Sequence, residues 1–230
     1  MFGKGMTVGE KERLAVIGSA MYVILSVLYF LPWDIPYKAV LPVAVAAAFS
    51  FCILPWQICF AMTASAIGCI CGVAGNFFIQ IEFFALAHFF LMLFFVHRWF
   101  HDGNAFVRAG GKYPETRIVR IAAMAVAVIG LLVFVMVRIV FDAPAGVMRG
   151  CIAFYAVIVC MMLFCSLAQR SRSYAVAAFL FVFSDVVAGW NAFIEDVPAK
   201  TYLIMLPYYA AQLVVFMRAA HLKVFRLHLK

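Results

Sequence analysis

The sequence predicts an all-α, polytopic membrane bundle of about eight transmembrane helices. Three observations carry that prediction: long apolar runs, scarce charge, and basic residues gathered on one side. Of the 230 residues, 68% are hydrophobic and 12% charged, and the mean hydropathy is +1.07. Soluble domains hold about half apolar and about a quarter charged residues, so a water-soluble fold is excluded. Spanning a bilayer takes roughly 20 apolar residues per helix. Such runs lie near 14–31, 37–54, 57–79, 82–99, 118–140, 147–167, 174–194 and 202–220. Little chain is left over, so residues 1–230 read as a single transmembrane domain.

The runs must be helices rather than barrel strands. Hydrocarbon offers no partner to backbone N–H and C=O groups, so each span must satisfy its own. Barrel strands alternate polar and apolar positions over about ten residues, whereas Ile121 to Val137 is continuously apolar. The first run resembles a signal peptide in having Lys11 and Arg13 ahead of it. It reaches Trp33, Asp34 and Pro36 without a small-residue cleavage site, and is expected to be a retained helix. Residues 1–117 and 118–230 show no convincing repeat.

Charge sets the expected orientation. With eight spans, the N-terminus, loops 2–3, 4–5 and 6–7 and the C-terminus share one side. That side holds Lys4, Lys11, Arg13, Arg98, Arg108, Lys112, Arg117, Arg120, Arg170, Arg172, Arg218, Lys223, Arg226 and Lys230. The other side holds only Lys38, Arg138, Arg149 and Lys200. Basic residues stay cytoplasmic, so both termini are expected inside, and the span lengths with the uncleaved first run suggest a bacterial inner (plasma) membrane or an endomembrane. The net charge of +8 is thereby assigned to anionic headgroups or a solvated face, with no nucleic acid as partner.

The seven cysteines all fall within spans, where a thiol is usually a small apolar filler. Cys69 and Cys71 point about 200° apart on a helix, wrong for a shared metal, and no metal site is expected.

Polar residues within spans are costly and therefore informative. They are Asn76 in the third run, His88 in the fourth, Ser184 and Asp185 in the seventh, and Tyr208, Tyr209 and Gln212 in the eighth, with Lys38 and Glu82 at outer span ends. At a rise of about 1.5 Å per residue, Asn76 lies about 5 Å in from the outer side, His88 about 9 Å, Tyr209 about 10 Å, Asp185 about 13 Å and Gln212 about 15 Å. Four helices thus place polar groups in one layer, which scattered structural hydrogen bonds have no reason to do. Ser65, Gly68, Gly72 and Asn76 form a small-residue seam, and Ala188, Gly189 and Ala192 follow Asp185 at helical spacing. For His88 and Asn76 the plain alternative is a hydrogen bond to a neighbouring carbonyl. An ionised carboxylate at the depth of Asp185 needs a partner or a bound proton.

The C-terminal half resembles the YhhN, or lysoplasmalogenase, family of eight-helix membrane proteins. The resemblance rests on Phe181-Val182-Phe183-Ser184-Asp185, Asn191-Ala192-Phe193, Pro198 and Tyr208-Tyr209-Ala210-Ala211-Gln212, with Tyr155 and Met162, Phe84 to His88, and Lys38 upstream. It covers roughly residues 38–216. The family usually has Gly-Asp where this chain has Gly75-Asn76, and Lys-Pro where it has Lys38-Ala39. An amide cannot exchange a proton as a carboxylate does, so Asp185 stands as the one acid, with His88 or water in the second role.

Membership implies hydrolysis of the vinyl ether of a lysoplasmalogen to a fatty aldehyde and a glycerophospho-alcohol, with a lysophospholipid as substrate, membrane lipids as surroundings and no cofactor. On that resemblance Asp185 and His88 are the expected catalytic residues. Lys38 would hold the lipid phosphate, and Asn76, Asn191, Tyr208, Tyr209 and Gln212 would contact substrate. Ser184 has no second base placed to activate it and is expected to be a packing hydroxyl. A proton-coupled carrier, a lipid-binding scaffold without turnover, or a lysophospholipase acting on an ester are the other readings of the same polar layer.

Overall fold

In the computed structural model the described backbone covers residues 6–108, 116–169 and 171–228, and the described side chains cover 6–102, 117–169 and 171–220. The basic residues expected in loop 98–120 and tail 218–230 lie partly outside this range, as do Lys4 and Arg170. Among the described residues the chain forms α1 (Val8–Phe30), α2 (Leu41–Ile53), α3 (Trp56–Val73), α4 (Phe77–Arg108), α5 (Thr116–Val135), α6 (Val147–Ala168), α7 (Arg172–Phe193) and α8 (Lys200–His228), with no strands. A π-helical turn, Met136–Val140, continues α5. Seven helices are long and apolar enough to cross a membrane, and the chain is a multi-pass membrane protein.

The exception is α2. The run 37–54 is a helix only from Leu41, because Pro36 is followed by Tyr37 in left-handed backbone (φ 56) and helix resumes with Pro42 at its first turn. At about 1.5 Å per residue its 13 residues reach only about 20 Å, short of the hydrocarbon core. Pro55 separates α2 from α3. At the chain's start Thr7 accepts from the Glu10 N–H (3.3 Å) while the Glu10 carboxylate accepts from the Thr7 N–H (2.6 Å), a reciprocal cap that begins α1.

Packing arranges α2, α3, α4, α6, α7 and α8 in a closed ring, each against the next, with α8 returning to α2. Outside the ring, α1 lies against α2 and α8, and α5 lies against α6. Only 11% of the most apolar window of α1 or of α5 is buried, so both present their surfaces to lipid. Consecutive helices pack together within α1–α4 and within α5–α8, and the two groups join at α4–α6, α1–α8 and α2–α8.

The small-residue seams set the closest approaches. A Cβ on Gly68 would stand 2.9 Å from the Phe84 ring, and one on Gly72 would meet the Gln80 amide, so α4 lies directly over the α3 seam. Gly189 faces Ile139 of the π turn, where a Cβ would come within 3.1 Å. Replacing Gly68 with Val therefore overpacks the α3–α4 contact and should cost about 1–3 kcal/mol. Gly130, in α5, has nothing within 4 Å of its Cβ position. Gly130→Ala should be neutral or stabilise by up to about 1 kcal/mol through helix propensity. Thermal unfolding of the two variants in detergent checks the contrast.

Candidate functional site

A cavity of about 320 Å³ lies among α3, α4, α6, α7 and α8, with Val135 of α5 and Ile139 of the π turn also in its wall. Its walls are mainly aliphatic and aromatic, and its polar groups come from α3, α4, α6, α7 and α8. It runs from the α3–α4 turn, near Val73 and Phe77, inward to His88 and Cys160. On the scale of 1.5 Å per residue, His88 lies about 16 Å along α4 from Phe77, and Asp185 about 12 Å along α7 from Phe193.

At the inner end α4 and α7 bring His88 and Asp185 together, with His88 Nε2 3.5 Å from Asp185 Oδ2. Both atoms are buried and neither has a hydrogen-bond partner. The other imidazole nitrogen, Nδ1, is 2.8 Å from the Phe84 carbonyl one turn earlier. A carbonyl can only accept, so Nδ1 carries a hydrogen and Nε2 is the nitrogen free to exchange a proton with Asp185. The plain expectation for His88, a bond to a carbonyl, is met by one nitrogen and leaves the second aimed at the acid. One proton suffices for the pair: it makes either a carboxylic acid facing a neutral imidazole or a carboxylate facing an imidazolium.

Aromatic rings hold this geometry. Phe181, one turn before Asp185, and Tyr155 of α6 stand edge-on to the imidazole at 5.3 and 5.7 Å between centroids. The Tyr155 hydroxyl interacts with the Asp185 carboxyl. Asp185 keeps 17% of its side-chain surface accessible and lines the cavity. Tyr155 had entered the sequence reading only as a family match. A tyrosine in an apolar run looks like core packing, and nothing in its spacing marks it as the neighbour of an acid on another helix.

Tyr208 also lines the cavity. Its hydroxyl accepts from Gln212 Nε2 (3.2 Å) and lies 3.4 Å from Cys69 Sγ, which links α8 to α3. Gln212 is buried behind Tyr208 and acts on the cavity through it. Ser184 donates to the Ile204 carbonyl at 2.8 Å, a packing bond between α7 and α8.

The remaining expected residues stand elsewhere. Tyr209, next to Tyr208, turns away into a cluster with Tyr22, Tyr29 and Phe30 and donates to the Ala39 carbonyl at 2.8 Å. Asn76 is not in α3: it is an exposed residue before α4, its side chain accepting from the Ile79 N–H at 3.3 Å. Lys38 donates to the carbonyls of Leu31 (3.3 Å) and Trp33 (3.1 Å) and lies over the Tyr29 ring, closing the turn after α1. Asn191 accepts from the Val197 N–H at 3.1 Å and shapes the α7–α8 loop. Glu82 is exposed on α4.

If Lys38 is mainly a clamp for the α1–α2 turn, Lys38→Met should lower stability by about 0.5–1.5 kcal/mol through the lost hydrogen bonds. Unchanged thermal unfolding together with weakened lipid binding would assign it to ligand instead.

The sequence model of the YhhN family matches residues 33–219. Comparison with curated proteins and with solved structures finds no match.

Proposed function

The chain belongs to the YhhN family, and on that premise we propose that its cavity hydrolyses the vinyl ether of a lysoplasmalogen. The observation that carries this reading is the His88–Asp185 pair, two unpartnered atoms placed for one proton at the inner end of an apolar cavity. Vinyl ethers are cleaved by acid. A proton added to the carbon distal to oxygen gives an oxocarbenium ion, water adds to the carbon beside oxygen, and the hemiacetal separates into aldehyde and alcohol. One water is consumed and the catalytic proton is returned.

In this scheme Asp185 delivers the proton, and its carboxylate then stands beside the cation and stabilises it. His88 Nε2 accepts a proton from the attacking water and passes it back to Asp185 across the 3.5 Å gap. The Tyr155 hydroxyl holds the carboxyl in place, and Tyr208, positioned by Gln212, orients the ether and hemiacetal oxygens. The alkenyl chain lies along the apolar wall. Lys38 can reach a lipid phosphate only by releasing the Leu31 and Trp33 carbonyls. Tyr209, Asn76 and Asn191 act by fixing the helices and loops around the cavity. We further assign the basic end of the bundle and both termini to the cytoplasm, the whole chain to one transmembrane domain, and its membrane to the bacterial inner membrane.

A proton-coupled carrier is the second reading, and the buried Asp185–His88 pair favours it, since intramembrane acid and histidine groups serve as proton relays. The two separate in one assay. Purified protein with an alkenyl lysophospholipid should release fatty aldehyde, and an acyl lysophospholipid should give none. Asp185→Asn should lower the rate about 10²–10⁴-fold, the usual contribution of a positioned acid–base group. Ser184→Ala should stay near wild type. Proton-dependent uptake into proteoliposomes without hydrolysis would assign the carrier.

A further inference from the structure

At the end of the bundle remote from the cavity mouth, a second group of polar side chains includes buried atoms without hydrogen-bond partners. Arg98 lies ten residues beyond His88 on α4, about 15 Å further along the helix. Its guanidinium donates to Gln169 Oε1 (3.2 Å) and Asp102 Oδ2 (2.9 Å) and lies over the Tyr174 ring at 5.4 Å. Tyr174 packs against Phe94 and Phe95, is fully buried, and sits within electrostatic reach of Arg98, Arg218 and Asp102. Around it four buried atoms have no hydrogen-bond partner: the Tyr174 hydroxyl, Gln169 Nε2, Ser171 Oγ and Arg218 Nε. Buried polar atoms left unpaired cost free energy, and four in one place point to a missing common partner.

All four can donate a hydrogen bond. Ser171 directly precedes α7, yet its side chain makes no cap bond to its own helix, so the first-turn N–H groups add to the donors. Charge agrees. Asp102 occupies one edge of Arg98, whereas among the described residues no acid pairs with Arg218. The nearby His101 faces Asp102 at 3.5 Å. Arg98 keeps 12% and Asp102 36% of side-chain surface accessible, so the buried donors lie behind an ion pair that solvent and polar ligands reach.

We propose that this cluster binds a phosphate-bearing anion between Arg98 and Arg218, with the Tyr174 hydroxyl, the Gln169 amide and the α7 N-terminus donating to its oxygens. Phosphate suits the cluster because it offers several acceptor oxygens, two of which can pair with the planar fork of a guanidinium. The phosphate belongs to a lipid headgroup or is free in solution, and the test separates the two.

Full-length protein in phosphatidylcholine nanodiscs would be titrated with phosphatidylglycerol or with inorganic phosphate. Occupancy is read by native mass spectrometry and by the shift in thermal midpoint. Phosphatidylglycerol retained over phosphatidylcholine, with no effect of phosphate, assigns a headgroup; an equal shift by inorganic phosphate assigns the free anion. In either case Arg218→Gln should weaken binding about tenfold or more and Tyr174→Phe about threefold, as expected for a charged and a neutral hydrogen bond. Tyr174→Phe retains the ring packing on Phe94 and Phe95, so it decides the matter even if Arg218→Gln does not fold. Binding of neither probe, no preference over phosphatidylcholine, or equal binding by folded variants would overturn the proposal.

Discussion

The organising constraint is the cost of placing an acid where lipid and apolar side chains exclude water. A carboxyl at the position of Asp185 needs a partner of complementary protonation, and His88 supplies it through the one nitrogen that the Phe84 carbonyl leaves free. The two side chains make that contact by reaching across the ring from α4 and α7, which are not packed directly against each other. The Gly68 and Gly72 seam seats α4 on α3, and Gly189 seats α7 on the π turn, which fixes the two helices that carry the pair. The cavity lies between the same two helices, with α3, α6 and α8 completing most of its wall.

The ring also explains why α1 and α5 are so poorly buried. Among the helices α1 packs chiefly on α2 and α8, and α5 on α6, so most of each surface is left to lipid and is apolar. Tyr22 shows how α1 is nevertheless fixed: its hydroxyl donates to the Tyr209 carbonyl at 3.0 Å, and Tyr209 in turn donates to Ala39. This chain of contacts ties α1, α8 and the start of α2 together and leaves Tyr208, the adjacent residue, free to face the cavity.

Much of the architecture was legible in the residues because hydrophobic length and the expense of buried charge are one-dimensional signals. Both the spans and the Asp185–His88 layer follow from them. What was not legible depends on rotation and on chain reversal. Tyr208 and Tyr209 differ by about 100° around α8, and only the packing of α1 decides which one reaches the cavity. Lys38 and Asn76 were placed by counting along apolar runs, whereas Tyr37 reverses the chain before α2 and Gly75, with φ 77, ends α3 before Asn76. Tyr155 carried no cost signal.

The central claim is that a proton from this pair reaches a carbon of the substrate. Running the reaction on an alkenyl lysophospholipid in D₂O, trapping the aldehyde at once by reduction and weighing it, tests that step directly. The account predicts one deuterium bound to the carbon next to the former carbonyl, together with a slower rate in D₂O. Aldehyde free of carbon-bound deuterium, or no aldehyde at all from folded protein, would contradict it.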